Sequence, residues 1–251
     1  MRRYHIQLDD GEAGAYVLLP GDPGRCEAIA ARLDGARHLR SNREFTTFAG
    51  TLEGVPVSVI STGIGGPSTA ICVEELVSIG VRTMIRVGTC GAMQDGIRSG
   101  EVVIVQGAMR DDGTSYHYVP AAFPAIADLE VVNALRDAAR IAAQPHRVGV
   151  VFSTDSFYGQ RDMDRMPVAA ELRQRWEAAV RSGCLAAEME CAALLSVATT
   201  LGVRSGAALA VIDRSGPDAE PMPDPGHLPL DAVIEVAVGA LRRLIATKRS
   251  Y

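Results

Sequence analysis

Apolar residues along the 251-residue chain are grouped in two alternating ways. Short runs predict strands at Tyr16–Leu19, Phe45–Leu52, Val55–Ser61, Thr83–Val87, Glu101–Val105, Val148–Phe152 and Ala207–Ile212. Longer segments with helical spacing predict helices at Gly24–Leu33, Ser68–Ile79, Leu129–Ala142, Ala169–Arg181, Met189–Leu201 and Pro229–Thr247. Several strands are apolar throughout instead of alternating, as in a sheet covered on both faces. The expectation is an α/β protein: a single-domain three-layer α/β/α sandwich over residues 1–251 with a mixed central β-sheet. No internal repeat is visible. The stretch Arg214–Pro229, RSGPDAEPMPDPGHLP, is too rich in proline and glycine for regular structure, and reads as a mobile flap or a solvated connector.

Composition narrows the class. A chain 47% hydrophobic and 22% charged is an ordinary globular one, and a net charge of −5 speaks against nucleic-acid or acidic-membrane partners. The opening MRRYHIQLDDGE has no apolar run behind its arginines, so neither a signal peptide nor a membrane span is expected. The cysteines, Cys26, Cys72, Cys90, Cys184 and Cys191, form no Cys-x-x-Cys pair and read as reduced, buried thiols of a cytoplasmic protein. Lys248 is the sole lysine, so an arginine carries functional weight only inside a motif.

Three glycine-rich junctions carry such motifs. In LLPGDPGR, Gly21 lets backbone approach an anion, Arg25 follows, and a helix start points its positive end there. In STGIGGPSTAICVEEL, Gly63, Gly65 and Gly66 precede a helix for which Ser68 fits the N-cap role. In IRVGTCGA, Arg86 ends a strand with a fork suited to phosphate, and Thr89 follows a glycine with a hydroxyl and an amide. Each alone also reads as an ordinary turn. Glu188 and Glu190 likewise read as exposed charges at a helix start, and His5 as a frayed terminal residue.

Together, these segments resemble the nucleoside phosphorylase superfamily of uridine phosphorylases, purine nucleoside phosphorylases and related nucleosidases. Ser61–Leu76 fits the family signature at every fixed position, and the likeness runs from His5 to the last helix. PGDPGR, NREFTTF, STGIGGPST, RVGTCGA and AEMECAALL are most similar to the uridine phosphorylase subgroup. The resemblance implies a phosphate site of Gly21, Arg25, Arg86 and Thr89, with Arg43 supplied by a neighbouring subunit. It implies that Glu190 and Met189 bind the ribose and that His5 reaches its 5′-hydroxyl across a dimer interface. Glu44, Ile64 and Ser68 match positions that hold a monovalent cation such as K+ between subunits. The implied partners are a nucleoside, inorganic phosphate as co-substrate, and further copies of the chain in a homodimer or a trimer of dimers (hexamer). No metal-ligand cluster is visible, and the chemistry requires no redox cofactor.

STDSFYGQRDMDR resembles the uracil-recognition loop of the uridine phosphorylase subgroup, and offers Phe157 for stacking, Gln160 for the edge of a uracil and Arg161 as a cation. The subgroup usually has Gly-Gln, any residue, Arg, whereas here Arg161 follows Gln160 directly and the next arginine is Arg165. That spacing re-aims the guanidinium. Beyond the last strand, LAVIDRSG places Asp213 where purine-specific relatives protonate the base, and Arg214 where uridine-type members contact the uracil loop. The expectation is therefore uridine phosphorolysis, with Arg86, Glu190, Arg161 and Asp213 as catalytic candidates. Purine phosphorolysis through Asp213 as general acid is the alternative. A nucleosidase would not need three phosphate arginines, and a non-catalytic nucleoside-binding protein remains a further reading.

Overall fold

The computed structural model describes residues 1–217, 219, 221–224 and 228–248. Ten strands form one sheet: β1 (Tyr16–Leu19), β2 (Asp34–Asn42), β3 (Phe45–Leu52), β4 (Val55–Ile60), β5 (Thr83–Ala92), β6 (Val102–Asp111), β7 (Ala125–Ile126), β8 (His146–Thr154), β9 (Ala186–Glu188) and β10 (Arg204–Arg214). The helices are α1 (Cys26–Ala30), α2 (Gly66–Ser78), α3 (Leu129–Ile141), α4 (Phe157–Arg161), α5 (Ala169–Arg181), α6 (Cys191–Thr200) and α7 (Asp231–Lys248). The strand order is β10-β6-β8-β9-β5-β1-β4-β3-β2, with β7 on β6. Because β10 also pairs with β5, the first five strands of that order close into a ring.

The sheet is mixed, as expected, with β1, β4, β5 and β10 mutually parallel. Its apolar runs are explained by two covered faces. In β1, Tyr16 and Leu18 pack with α1, α3 and α7 in one core, while Val17 and Leu19 pack with α2 and α6 in another. Each fully buried Leu or Ile contributes roughly 1.5–3 kcal/mol. Helix α6 is buried along most of its length, which explains why CAALLSVA lacks a polar stripe. Among the described residues, no helix is long and apolar enough to cross a membrane.

Several boundaries differ from expectation for identifiable reasons. Strand β2 is largely exposed and polar, so it carries no apolar signal. Strands β7 and β9 are two and three residues long. The segment Gly24–Leu33 is a 3-10 turn (Pro23–Arg25) followed by the five-residue α1, so a full helix does not start beside Gly21. RVGTCGA is not a turn after a strand: β5 runs on through Ala92, paired with β10. For the same reason Asp213 and Arg214 lie on β10 itself. Within Arg214–Pro229, residues 218, 220 and 225–227 lie outside the described residues.

Candidate active site

A cavity of about 630 Å³ lies past the carboxyl ends of β1 and β4 and along the C-terminal halves of β5 and β10. Ligands of open α/β sheets occupy such positions. One end of it is built from glycine turns and guanidinium groups. Gly63 donates its N–H to Gly21 O at 2.9 Å, tying the first two glycine-rich junctions together. A Cβ at Gly21 would lie 3.3 Å from Gly63 O and 3.7 Å from Arg86 Nη1, so the missing side chain leaves open backbone beside a cation.

Arg86 is buried, with Nη2 donating to a Glu190 carboxylate oxygen and Nε 3.3 Å from Glu188 Oε2. Burial disfavours its charge, but Glu190 and then Glu188 outweigh that and push its pKa above the ordinary arginine value. Its Nη1 has no hydrogen-bond partner among the described residues, and neither does the buried Nε of Arg25. Burial lowers the Arg25 pKa, partly offset by Asp22 3.6 Å away. Buried donors left without acceptors are rare in folded proteins, because each forfeits its hydration. These two cationic donors make this end suited to an anion. Thr89, half-buried in β5, also lines the cavity.

Glu188 and Glu190 are not exposed charges: both are buried, at 4% and 5%. The Glu188 carboxylate accepts from the backbone N–H groups of Glu190 and Cys191 at 2.9 and 3.0 Å and from the Ser153 hydroxyl, so it caps α6. Glu190 Oε1 accepts from Gly65 N at 2.7 Å, joining the loop before α2 to the turn before α6. Burial raises the Glu190 pKa, and Arg86 pulls it back towards the ionised form. Met189 lies beside it in the wall. The Glu-Met-Glu spacing is the signal by which Glu188 could have been assigned to the site.

At the other end, Ser156 caps the short α4 by accepting from Gly159 N at 3.0 Å. This helix presents Phe157, Gln160 and Arg161 to the cavity. Gln160 is buried, with its Oε1 unpartnered among the described residues. Arg161 donates to the Asp213 carboxylate, and its Cζ lies 5.5 Å from the Phe157 ring centroid. Cys90, Gly91, Ile212 and Met222 complete this wall and carried no sequence signal of their own.

Three predicted residues do not line the cavity. Arg214 points outward to Asp95, 2.9 Å away on the surface. His5 Nδ1 lies 2.7 Å from Glu75 Oε1, and Glu75 also accepts the backbone N–H groups of His5 and Ile6. Arg43 is exposed with φ +54°, its Cζ 6.0 Å from the Tyr4 ring. His5 packs edge-on against that ring at 4.8 Å, so His5 and Arg43 form one surface cluster around Tyr4. In the cavity wall, Ser68 Oγ donates to Glu44 Oε1 at 2.7 Å. Ile64 stands 77% exposed beside them. Burial raises the Glu44 pKa, but its own backbone N–H and the Ser68 hydroxyl prevail and lower it.

All five cysteines are free and buried, and burial raises the Cys26 thiol to about 11. The profile of the phosphorylase superfamily matches residues 15–247. The uridine phosphorylase of Treponema pallidum (strain Nichols) is 48% identical over 242 residues, covering 96% of this chain and 94% of that protein. The uridine phosphorylase of Escherichia coli (strain K12) is 40% identical over 251 residues, 96% and 98% of the two chains. A guanosine phosphorylase of Halorubrum lacusprofundi is 36% identical over 203 residues, 81% and 80% of the two chains. With its glycine turns, its buried arginines and a family match over nearly its whole length, the chain belongs to the phosphorylase superfamily.

Proposed function

We propose that the chain cleaves uridine with inorganic phosphate, giving uracil and ribose 1-phosphate. The observation that carries this is the pair of buried guanidinium donors, Arg86 Nη1 and Arg25 Nε, which have no hydrogen-bond partner among the described residues, beside the bare backbone of Gly21. A phosphate there would satisfy both, and bidentate arginine contacts would fix its orientation. One phosphate oxygen forms a bond to the anomeric carbon, and the glycosidic bond breaks with its electron pair leaving on the base. Positive charge develops on the sugar in between. Glu190 is placed to receive ribose hydroxyls and, with Arg86, to hold sugar and nucleophile in one geometry.

At the far end the Gln160 carbonyl lacks a donor among the described residues, and the ring N–H of uracil would supply one. Phe157 offers a face for stacking and Arg161 a cation for the charge of the leaving base. The Arg43–Tyr4–His5 cluster lies outside the cavity of its own chain, which supports a site completed by a second copy as a homodimer or larger assembly. Glu44, Ser68 and the Ile64 backbone form a hard-oxygen donor set suited to K+, and a Gly63 Cβ would lie within 2.6 Å of Glu44 and 2.8 Å of Ser68. When bound there, the cation would neutralise Glu44 between two copies.

The similarity to a guanosine phosphorylase, together with Asp213 in the cavity, gives purine phosphorolysis as the second reading. Base release from uridine and from inosine, each with and without phosphate, separates these readings. Phosphate-dependent release of uracil is expected. Release of hypoxanthine alone would move the reading to a purine base, and release without phosphate would make the chain a nucleosidase.

A further inference from the structure

We propose that Asp213 is the positioning residue for Arg161, put in place by a β-bulge in β10 and by Gly91 opposite it. The inference rests on the reading of the cavity as a nucleoside site with its base at the α4 end.

Three independent features converge on this pair. The first is register. Strands β10 and β5 pair in step from Arg204 opposite Thr83 to Val211 opposite Cys90; then the register slips, and Asp213 instead of Ile212 stands opposite Gly91. Side chains alternate faces along a strand, so a one-residue slip changes the face that Asp213 presents. Bulges recur beside active sites because they re-aim a side chain in this way.

The second feature is space. A Cβ on residue 91 would lie 2.7 Å from Asp213 Oδ1 and 2.0 Å from Ser215 Oγ, so only glycine admits the carboxylate at this point of β5. The third is the partner. Arg161 Nη1 donates to Asp213 Oδ2, with side-chain exposures of 13% and 7%. The Phe157 ring flanks the same guanidinium from α4 itself. Arg214, next along β10, turns out to Asp95 and leaves Asp213 to Arg161.

The chain follows Gln160 with arginine directly, and moving a residue by one position turns it about 100° around a helix. A long side chain re-aimed by that much needs an anchor to return its charge to the base. The carboxylate and the ring supply two fixed points, which remove rotamer freedom before the nucleoside arrives. In this arrangement Asp213 acts through Arg161 and passes no proton to the base.

A kinetic cycle tests it. Uridine and phosphate KM and kcat are measured for the intact chain, Asp213→Asn, Arg161→Ala, the double variant and Gly91→Ala, with thermal unfolding alongside. Asp213→Asn is expected to raise the uridine KM about tenfold, the scale of one charge-assisted hydrogen bond. The phosphate KM should not move, which also reports that the fold is intact. In the Arg161→Ala background the same substitution should add less than about twofold. Gly91→Ala should reproduce the Asp213→Asn phenotype.

A uridine KM unchanged in Asp213→Asn, or effects of the two single variants that multiply in full, would overturn the proposal. Cleavage of inosine but not uridine by the intact chain would instead sink the uridine reading. The same cycle would then be run on inosine. A collapse of kcat in Asp213→Asn that does not depend on Arg161 would make Asp213 a general acid and end the positioning role; a raised KM that does depend on Arg161 would uphold it.

Discussion

Arg86, buried, and Arg161, half-buried, are guanidinium groups held by carboxylates in one cavity, yet their surroundings differ in kind. Arg86 sits in the middle of β5 between Glu188 and Glu190, and keeps Nη1 unpartnered. Its neighbours cap α6 and tie down the loop before α2, so the charge is part of the framework. Arg161 lies on a five-residue helix with a carboxylate on one side and an aromatic face on another. The end proposed for phosphate is thus built into the core, whereas the end proposed for the base is attached to it through a short helix and a bulged strand. A family that keeps its nucleophile and varies its base would be served by that division.

The comparison breaks most severely at Arg86. Replacing it by alanine is expected to lower kcat/KM by about 10³-fold, as for loss of a central electrostatic donor. It should also destabilise the fold by about 3–5 kcal/mol, because Glu188 and Glu190 would remain buried without a counter-charge. Activity without a fall in Tm would show that the pair is not structural. Next comes the question of whether one chain suffices. Arg43→Ala and Arg86→Ala proteins, each inactive, should recover activity at about a quarter of the sites when dimers reassort randomly, since one intact set then forms in mixed dimers. Mixed oligomers without recovery would place the whole phosphate end in one chain.

The smallest effect concerns pH at the base end. Burial raises the Asp213 carboxyl above the ordinary aspartate value of 3.8, while Arg161 pulls it the other way. An acid with a raised folded value contributes stability that is fully present below the unfolded value and lost as pH rises through the folded one. Ionising Asp213 therefore opposes folding slightly, although the ionised form is the one that holds Arg161. The groups facing it are Arg161 from α4, Gly91 from β5 and Ser215 beyond its own strand. As pH falls through that raised value, the uridine KM should climb several-fold, consistent with loss of one charged contact. Asp213→Asn should lack this limb and lose no stability at neutral pH. A limb that persists in the variant would assign the titration to another group.

The glycine and arginine end of the cavity was legible in the sequence because its pattern is local. Gly21, Gly63 and Gly65 are needed where backbone turns or must stay bare, and arginine follows in the same short motifs. Ser61–Leu76 could be placed in one pass for that reason. The base end was legible in its residues but not in its arrangement. Phe157, Gln160 and Arg161 could be named from the sequence and all line the cavity, whereas the Asp213–Arg161 pair depends on a helix and a strand 52 positions apart and on a slip in register. Ring closure of β10 on β5 was equally invisible, since pairing partners leave no mark on either run. Strand β2 escaped because DGARHLRSN has no apolar period. Glu188 showed its charge but not its burial, which comes from α6 arriving over it.

The ring has a consequence for how copies of this chain behave in a crowd. Closure of β10 on β5 gives β10 a partner on each side, β5 and β6, so its central ladder of N–H and C=O groups is not open to another molecule. The strand order ends at β2, and that largely exposed strand carries Asp34, Arg37, His38 and Arg40. Charged, bulged edges resist strand-to-strand pairing, and β2 is irregular at two points of its register with β3. A strand that the hydrophobic pattern hides thus guards its edge of the sheet against aggregation.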